Sequence, residues 1–461
     1  MLTIYNSLTQ QKEPFQPIEP GKIKLYACGM TVYDYCHIGH ARSWVVFDVI
    51  VRYLRSCGWE VTYVRNITDV DDKIIQRAHD NHESTTALTE RFIRALHEDE
   101  TALGIVAADH EPRATEYIAS MIALIQTLIT QGHAYVAGNG DVCFDVHQFK
   151  AYGKLSRRDI HQLRSGVRVE INESKRDPLD FVLWKMAKPG EPQWPSPWGV
   201  GRPGWHIECS AMSSHLLGQP FDLHGGGMDL KFPHHENEIA QSEAAVQRAL
   251  AKGWVHVGLL QTNQEKMSKS LGNILLIRDA LQLYSAEVWR YFFLSSHYRS
   301  PVNYSQDIVS TVRHALSRLY IAVRDLPEAK ETHLAESFVK NFHVAMEDDF
   351  NVPEALAVLF ALAREINRLR EQHQQAEAAS LGATLKRLAG LFGFLQQDPD
   401  YFLRGTLETE ALHTIETLIR ARDQARATKD WARADRIRGQ LLAMGIVIED
   451  TAQGTVWRRE Q

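Results

Sequence analysis

Ile23-Lys24-Leu25-Tyr26-Ala27-Cys28 begins the stretch of sequence that decides the fold, because its alternating side chains are typical of a β-strand. A glycine-containing turn follows, and residues 38–57 then place apolar side chains along one face of a helix. Val61-Thr62-Tyr63-Val64 predicts a second strand, and the acidic residues among 69–72 offer N-caps for a helix that begins near Lys73. This succession of strand, helix, strand and helix predicts a βαβ unit, and therefore an α/β, Rossmann-like fold with a parallel sheet.

The rest of the chain divides into segments of different composition. A helix, short strand-like pieces and a stretch rich in Pro and Trp predict an insertion into the Rossmann-like domain. Amphipathic helices beyond Ile308 predict a helical bundle, and two short helical runs with a hairpin predict a small α/β module after it. We expect a Rossmann-like domain at 1–116 and 203–245, an inserted domain at 117–202, a connecting region at 246–307, a helical bundle at 308–400 and a small module at 401–461.

Composition limits the class of protein. The chain has 461 residues, of which 44% are hydrophobic and 23% charged, and this favours a soluble protein with a large core. No apolar run reaches the roughly 18 residues of a membrane helix. The first residues contain neither a basic region nor an apolar signal segment, so we expect a cytoplasmic protein. Five cysteines, an odd number spread along the chain, argue against a disulfide framework.

Two short motifs, far apart in the chain, indicate nucleotide chemistry. His37-Ile38-Gly39-His40 lies where the first predicted strand turns into its helix, at the sheet edge where nucleotides bind. A helix N-terminus attracts phosphate, and two imidazoles three residues apart can both donate hydrogen bonds to it. Gly39 would leave room for an adenine ring. In Lys266-Met267-Ser268-Lys269-Ser270, two ammonium groups can neutralise a departing pyrophosphate.

A third set of residues has the pattern of a metal site. His234 and Glu238 are spaced i and i+4, a common half-site for zinc, while Cys28 ends the first strand and Cys209 lies far from both. By spacing alone these four residues need not meet. However, the sequences around them resemble the cysteinyl-tRNA synthetase family of class I aminoacyl-tRNA synthetases, and the similarity runs the length of the chain. The stretches that carry the resemblance, together with the two motifs, are residues 26–34, 66–72, 201–210 and 224–238.

The resemblance implies that the chain activates L-cysteine with ATP and Mg²⁺ and transfers it to tRNA(Cys). It also implies one zinc ion per chain, held by Cys28, Cys209, His234 and Glu238, with Glu238 the most loosely bound ligand. A cavity alone separates near-isosteres such as cysteine and serine poorly, whereas zinc strongly favours sulfur. A zinc ion in the amino-acid pocket would therefore select cysteine, although four protein ligands leave a closed structural zinc as the alternative.

Further site residues follow from the same resemblance. The residues implied in catalysis are His37, His40, Lys266 and Lys269. The residues implied in ATP binding are His37, Gly39, His40, His224, Gly225, Gly226 and Lys269. The residues implied in holding the cysteine backbone are Gly29, Thr31, Thr68, Trp205 and Asp229, with Asp229 pairing with the ammonium.

The C-terminal part of the chain is where the resemblance places tRNA contacts. The net charge of −6 does not favour a nucleic-acid partner, but residues 420–438 carry seven basic side chains and three acidic ones. Candidates for RNA binding are Arg422 and Arg426, with Trp431 and Trp457 stacking on unpaired bases. A solvated basic face and two core tryptophans are the alternative. Asp430 resembles an N-cap, which would break the basic stripe in two. We expect a monomer.

Two other functions fit parts of this pattern. A cysteine ligase of mycothiol synthesis would keep both ATP motifs and the zinc site, but an amino-sugar acceptor gives it no use for an anticodon module. A non-catalytic RNA-binding relative would be expected to have lost a motif histidine or Lys269, and neither is lost here.

Overall fold

A computed structural model describes residues 1–158, 174–262, 265–266, 274–404, 409–451 and 454–459 of the chain. The strands in these residues are β1 (Thr3–Asn6), β2 (Gln11–Pro14), β3 (Lys22–Thr31), β4 (Glu60–Thr68), β5 (Ala134–Val136), β6 (Val142–Phe144), β7 (Phe181–Met186), β8 (Gly201–Pro203), β9 (Phe221–Gly227), β10 (Ala251–Val257), β11 (Leu260–Thr262), β12 (Glu265–Lys266), β13 (Val302–Tyr304), β14 (Ile446–Thr451) and β15 (Gly454–Arg459). The α-helices are α1 (Ile38–Ser56), α2 (Asp72–Asp80), α3 (Thr85–Ala102), α4 (Ile118–Thr130), α5 (Trp205–Leu217), α6 (Glu236–Val246), α7 (Ile277–Leu283), α8 (Ala286–Leu294), α9 (Gln306–Val323), α10 (Glu336–Glu347), α11 (Val352–Glu371), α12 (Gln375–Gly390), α13 (Pro399–Arg404), α14 (Thr409–Ala427) and α15 (Trp431–Ala443).

These elements form two compact units. The first unit consists of Met1–Ala286, Ser296–Asn303 and Met346–Val352. The second consists of Glu287–Ser295, Tyr304–Ala345 and Pro353–Gln461. Within the described residues, no helix is both long enough and apolar enough to span a bilayer.

A four-stranded parallel sheet lies at the centre of the first unit, in the order β10-β9-β3-β4. The predicted βαβ unit is confirmed, because α1 connects β3 to its parallel neighbour β4 and buries most of its apolar side chains. After β4 the chain crosses to the other side of β3 and forms β9. In such a sheet the connections diverge between β3 and β9, and a crevice opens at the carboxyl ends of these strands, where ligands bind.

The parallel sheet extends beyond residue 245, the limit predicted for the Rossmann-like domain. Strand β10 pairs with β9 from Ala251 to Val257 and buries Trp254. Its amino-terminal half contains Lys252 and Gly253, which interrupt the apolar pattern of a buried strand. The sequence therefore gives no sign of this strand, and the domain boundary at residue 245 stays a prediction.

The predicted insertion contains α4 and an antiparallel sheet in the order β5-β6-β7-β8. Its buried side chains, such as Phe144 and Trp184, belong to the same hydrophobic cluster as Tyr26 of β3 and Trp254 of β10. The insertion is therefore packed into the first unit through one continuous core.

The second unit is largely helical, as predicted, and ends in a small module of α14, α15 and the β14–β15 hairpin. Among the described residues, the hydrophobic cluster of this small module contains seven buried side chains, Ile415, Ile419, Ile437, Leu441, Ile446, Ile448 and Trp457. Asp430 caps α15 by accepting a hydrogen bond from the backbone N–H of Arg433 at 3.1 Å. The basic stripe predicted for residues 420–438 is therefore divided between two helices.

Candidate active site

Four side chains with metal-binding atoms meet near the carboxyl end of β3. Cys28 lies on β3, Cys209 on α5, and His234 and Glu238 in the turn and first residues of α6. Their ligand atoms all lie within 4.8 Å of one another. Cys28 Sγ is 3.3 Å from Glu238 Oε1, which lies 3.0 Å from His234 Nε2. The structure thus brings together the four residues that were predicted as metal ligands.

The spacing and chemistry of this group fit a zinc ion. Two thiolates that each bind zinc at about 2.3 Å are about 3.8 Å apart in a tetrahedral site. The sulfurs of Cys28 and Cys209 are 3.7 Å apart. Sulfur, imidazole and carboxylate are the three ligand types that zinc accepts. Cys209, His234 and Glu238 are buried, whereas Cys28 is partly exposed, so the group is accessible from the side of Cys28.

The electrostatics of the group favour a bound cation. Burial acts to raise the pKa of the Glu238 carboxyl, but the imidazoles of His224 and His234 hold it well below its usual range. Burial also acts against the Cys209 thiolate, yet hydrogen bonds from Cys28 and His234 help to bring its pKa down to about 6. At His234, burial is outweighed by Glu238 and Cys209, which raise the imidazole pKa to about 10. Burial and the neighbouring Cys209 and Glu238, by contrast, raise the pKa of the Cys28 thiol well above its usual range, so a bound cation would be needed to bring this donor to its thiolate form.

His224 supports the metal group from the interior of the first unit. Its imidazole is fully buried and stacks on Trp254, with ring centroids 4.4 Å apart. Its Nε2 lies 2.7 Å from the second carboxylate oxygen of Glu238. The ring of His224 is thus placed to orient a metal ligand, and its predicted contact with ATP stays a prediction. Such outer hydrogen bonds fix the orientation of ligating side chains.

Sequence reasoning missed two further histidines in this region. His235 places Nε2 3.3 Å from Cys28 Sγ and Nδ1 2.9 Å from Nε2 of His256. Cys28, His224 and His235 also form a possible metal group. That second group has only one potentially anionic donor, whereas the first has three, so a divalent cation favours the first. The pair of adjacent histidines, His234-His235, is the sequence feature from which a second histidine near the metal group could have been predicted.

The glycines of β9 have packing roles. A Cβ atom on Gly225 would overlap the ring of Phe47, which lies on α1. A Cβ atom on Gly226 would come within 2.9 Å of Leu230 and 3.0 Å of His235. These glycines therefore let β9 approach α1 and the turn before α6, while their predicted contact with ATP stays a prediction.

The first ATP motif forms the N-terminus of α1. His37 is the N-cap, and its Nδ1 accepts a hydrogen bond from the backbone N–H of Gly39 at 3.1 Å. Nδ1 of His40 accepts a hydrogen bond from the backbone N–H of His37 at 3.2 Å. When Nδ1 accepts, a neutral imidazole carries its proton on Nε2. Both rings therefore present Nε2–H as a donor, and they stack with centroids 3.6 Å apart.

Gly39 is required by the cap itself. A Cβ atom at this position would lie 2.8 Å from Cε1 and 2.9 Å from Nδ1 of His37. A side chain at position 39 would therefore push the capping imidazole out of place. This is a different reason for glycine from the space for adenine that we predicted.

The second ATP motif begins at the end of β12. Lys266 is the last residue of this strand and pairs with Gln261 of β11. Lys269 lies outside the described residues. Residues 275–277 pair through their backbone with the start of α1. Ile38 N–H donates to Leu275 O, and Ile277 N–H donates to Cys36 O, both at 3.0 Å. The first motif therefore lies beside the chain at residues 275–277, which follow the second motif in sequence.

The residues predicted to hold the cysteine backbone lie at different depths. Gly29 directly follows Cys28, and its N–H donates to Asn66 Oδ1 at 2.8 Å. Trp205 is 39% exposed and packs on His234, with ring centroids 4.4 Å apart. Thr68, by contrast, is buried and donates its hydroxyl to Glu208 at 2.8 Å.

The other two predicted pocket residues are accessible. Thr31, at the end of β3, is partly exposed, and Asp229 is exposed just after β9. Asn66, which the sequence did not single out, also lies 3.5 Å from Cys209 Sγ. One buried amide thus contacts the backbone next to Cys28 and the second cysteine of the metal group.

A cleft of about 300 Å³ adjoins the metal group on the side of the insertion. Trp205 and His206 form the wall that it shares with His234, and the opposite wall comes from β7 and β8. Lys185 in this cleft lies 3.0 Å from both carboxylate oxygens of Asp72. The cleft therefore combines an exposed indole, on which a base could stack, with both basic and acidic side chains, since Asp71, Asp72 and Asp141 also line it.

Two of the four residues predicted to bind tRNA belong to the interior of the small C-terminal module. Trp457 is 4% exposed and lies in the core of that module. Arg422 is 6% exposed, and its guanidinium binds Asp450 at 2.8 Å through both terminal nitrogens. The β14–β15 hairpin covers both side chains, and their predicted contact with tRNA stays a prediction. Trp431 is 59% exposed, and Arg426, on the surface, pairs with Asp450.

Paired imidazoles at the first helix of a Rossmann-like sheet, a metal-binding group at the carboxyl end of β3 and an inserted domain are the arrangement that the resemblance to class I aminoacyl-tRNA synthetases implies. The fold comparison agrees. Methionyl-tRNA synthetase of Mycobacterium tuberculosis, solved with methionyl-adenylate, superimposes with a TM-score of 0.59. The superposition covers 86% of this chain and 94% of that chain at 16% identity, so it supports the fold alone.

Sequence comparisons give the particular family. Residues 14–314 match the family described as tRNA synthetases class I (C) catalytic domain, residues 341–396 the DALR domain, and residues 411–458 the cysteinyl-tRNA ligase anticodon binding domain. The cysteine–tRNA ligase of Coxiella burnetii (strain RSA 493 / Nine Mile phase I) is 60% identical over 457 residues, 99% of each chain. That of Halorhodospira halophila (strain DSM 244 / SL1) is 60% identical over 459 residues, 100% of each chain. The chain belongs to the cysteine–tRNA ligase family, and its activity is cysteine–tRNA ligation.

Proposed function

We propose that the chain activates L-cysteine with ATP to cysteinyl-adenylate, that it transfers the cysteine to the 3′ end of tRNA(Cys), and that a zinc ion selects the amino acid. The observation that carries the proposal is the meeting of Cys28, Cys209, His234 and Glu238 at the same edge of the parallel sheet as the imidazole pair. Four donors suited to zinc at this edge support the proposal of a sulfur-selective centre beside the site of nucleotide chemistry.

Selection of cysteine would take place on the partly exposed side of the metal group. Zinc held by the four residues would supply a soft Lewis acid that prefers the thiolate of cysteine to the hydroxyl of serine. Asn66 supports this side, since its amide contacts both Gly29 N–H and Cys209 Sγ. Trp205, packed on His234, would form a wall of the amino-acid pocket, and the exposed carboxylate of Asp229 would pair with the substrate ammonium.

Activation would use the two imidazoles of α1. A carboxylate oxygen of cysteine attacks the α-phosphorus of ATP, the bond to the bridging oxygen breaks, and pyrophosphate leaves. Nε2–H of His37 and of His40 would donate to the phosphate oxygens on which charge develops. Lys266 and Lys269 would neutralise the departing pyrophosphate, and Mg²⁺ would accompany ATP. The role of these residues is positioning and charge stabilisation, since the reaction needs no protein nucleophile.

Transfer to tRNA would use the cleft beside Trp205. A hydroxyl of the 3′-terminal ribose attacks the cysteinyl carbonyl carbon, and AMP leaves with the bonding electron pair. The cleft is large enough for a single nucleotide, shares a wall with the metal group and contains Lys185, whose ammonium would pair with a backbone phosphate. The small C-terminal module would read the anticodon through its accessible residues, with Trp431 stacking on a base. We further propose that the protein works as a cytoplasmic monomer.

Charging of purified tRNA(Cys) with labelled cysteine, and with serine in parallel, tests this proposal. The assay is run on the protein as isolated, after chelation with verified loss of metal, and after zinc is restored. We expect charging with cysteine alone, lost on chelation and regained with zinc. Charging that survives verified metal loss would contradict the role of zinc. Cysteine-dependent pyrophosphate exchange without charging of tRNA would instead indicate a ligase with a different acceptor, such as an amino sugar.

A further inference from the structure

Arg42 is a fully buried arginine on α1, one turn beyond the first ATP motif. Its side chain is 1% exposed, and burial alone lowers its pKa to about 10. Among the residues that the structure describes, no carboxylate lies within ion-pairing distance of its guanidinium, and its Nε and one terminal nitrogen have no hydrogen-bond partner. A buried charge without a counter-ion is expensive. The proposed steps of activation and transfer assign no role to Arg42 and so do not explain why this charge is buried.

The remaining nitrogen of Arg42 donates to two backbone carbonyls, those of Tyr298 and Ser300. This short segment is fixed from its other side as well. Tyr298 O also accepts from Gly258 N–H at 2.8 Å, and Val302 N–H donates to Leu259 O at 3.0 Å. A Cβ atom on Gly258 would overlap the carbonyl of Ser300. Arg42 is therefore linked, through two carbonyls, to the backbone at residues 258–259.

Residues 258–259 lead directly into β11, and its partner strand β12 ends at Lys266, the first residue of the second ATP motif. They precede β11, whose residue Gln261 pairs with Lys266 at the end of β12. The motif thus starts from a strand pair attached to Arg42. Beyond it, Leu275 and Ile277 pair through their backbones with Ile38 and Cys36. The described chain on either side of residues 267–273 is therefore connected to the start of α1, directly at Leu275 and Ile277 and through Arg42 at β11–β12.

We propose that Arg42 is a positioning residue, which sets the place of the β11–β12 strand pair, and with it the backbone at Lys266, relative to His37 and His40. The inference rests on the proposed function of these two motifs in activation. Carbonyl oxygens suit this task, because one guanidinium can hold two of them in fixed directions. Lysine would keep the charge without the planar fork and would perform the task poorly.

Cysteine-dependent pyrophosphate exchange in Arg42→Met and Arg42→Lys tests this inference, with active sites counted by adenylate formation. A displacement of about 1 Å at a reacting group can reduce a rate about 100-fold. We expect kcat per active site to fall about 10- to 100-fold and the KM for ATP to rise, with the KM for cysteine and the zinc content unchanged. Gly258→Ala, which pushes the same segment from the other side, should give the same pattern.

Arg52→Met is the matched control. Arg52 lies on the same helix and also donates to a distant backbone carbonyl, that of Gly104 at 2.7 Å, but this contact leads away from the second motif. Its kcat per active site should equal that of the unchanged protein. If the Arg42 variants lose only stability or active-site number, as the Arg52 variant would, the inference is wrong. If the unchanged protein shows no cysteine-dependent exchange, the proposed function fails, which is a different result from failure of the inference.

Discussion

Replacing His224 by Phe should weaken zinc binding without affecting ATP. The ring of Phe can keep the stacking on Trp254, whose centroid is 4.4 Å from that of His224, while the 2.7 Å hydrogen bond to Glu238 is lost. His224 and Glu238 are both fully buried, so no water can replace the lost donor without rearrangement. Leaving a buried acceptor unsatisfied costs about 1–3 kcal/mol. Loss of an outer partner of a metal ligand typically reduces metal affinity about 10- to 100-fold, or about 1.4–2.8 kcal/mol.

The assay for this variant is competition for zinc with a chelator of known affinity, followed by pyrophosphate exchange with zinc in excess. We expect the zinc dissociation constant to rise about 10- to 100-fold, with the KM for ATP unchanged. His256→Phe is the control, because His256 is buried in the same region but bonds to His235 and not to Glu238. Wild-type zinc affinity together with a raised KM for ATP would refute the reasoning and return His224 to the ATP side of the site.

Three further predictions concern the surface and the small module. Hydrogen bonding to Arg422 lowers the pKa of Asp450 in the folded chain, so the stabilisation is present above about pH 4 and is lost as the pH falls below it. The melting temperature should therefore drop more steeply between about pH 4 and pH 2 than in Asp450→Asn. Trp457→Ala should destabilise the second unit by about 3–5 kcal/mol in chemical denaturation, whereas Trp431→Ala should leave stability within about 0.5 kcal/mol and weaken tRNA charging. Lys185→Met should lower kcat/KM for tRNA and leave pyrophosphate exchange unchanged, while the exposed Lys188→Met should change neither.

The N-terminal half of the fold was predictable because its periodicities are local. The alternation before Cys28 and the apolar face of residues 38–57 contain enough information to predict β3 and α1, and the parallel sheet follows from their order. Strand β10 was not recognised, since Lys252 and Gly253 interrupt its pattern and its burial depends on the neighbouring β9. Local patterns predict an element well only when they are not interrupted.

The residues of the candidate site could be predicted, but the orientation of their side chains could not. The meeting of Cys28 with Glu238 could be expected only from a resemblance, because no local pattern joins residues so far apart. Whether His224 points to ATP or to Glu238 depends on which side of β9 packs against Trp254, which the sequence does not reveal. The burial of Arg422 could not be predicted for the same reason, since its partner Asp450 lies on a hairpin that follows later in the chain.

The most direct test of the central claim is to replace zinc by Co²⁺ and to record the visible and near-ultraviolet spectrum while cysteine or serine is added. Sulfur bound to Co²⁺ gives an intense charge-transfer absorption, so the number of sulfur ligands can be followed. We predict that cysteine increases this absorption and shifts the visible bands, whereas serine at the same concentration leaves the spectrum unchanged. An identical spectrum before and after saturation with cysteine, in protein that still forms cysteinyl-adenylate, would contradict recognition of the substrate through its sulfur.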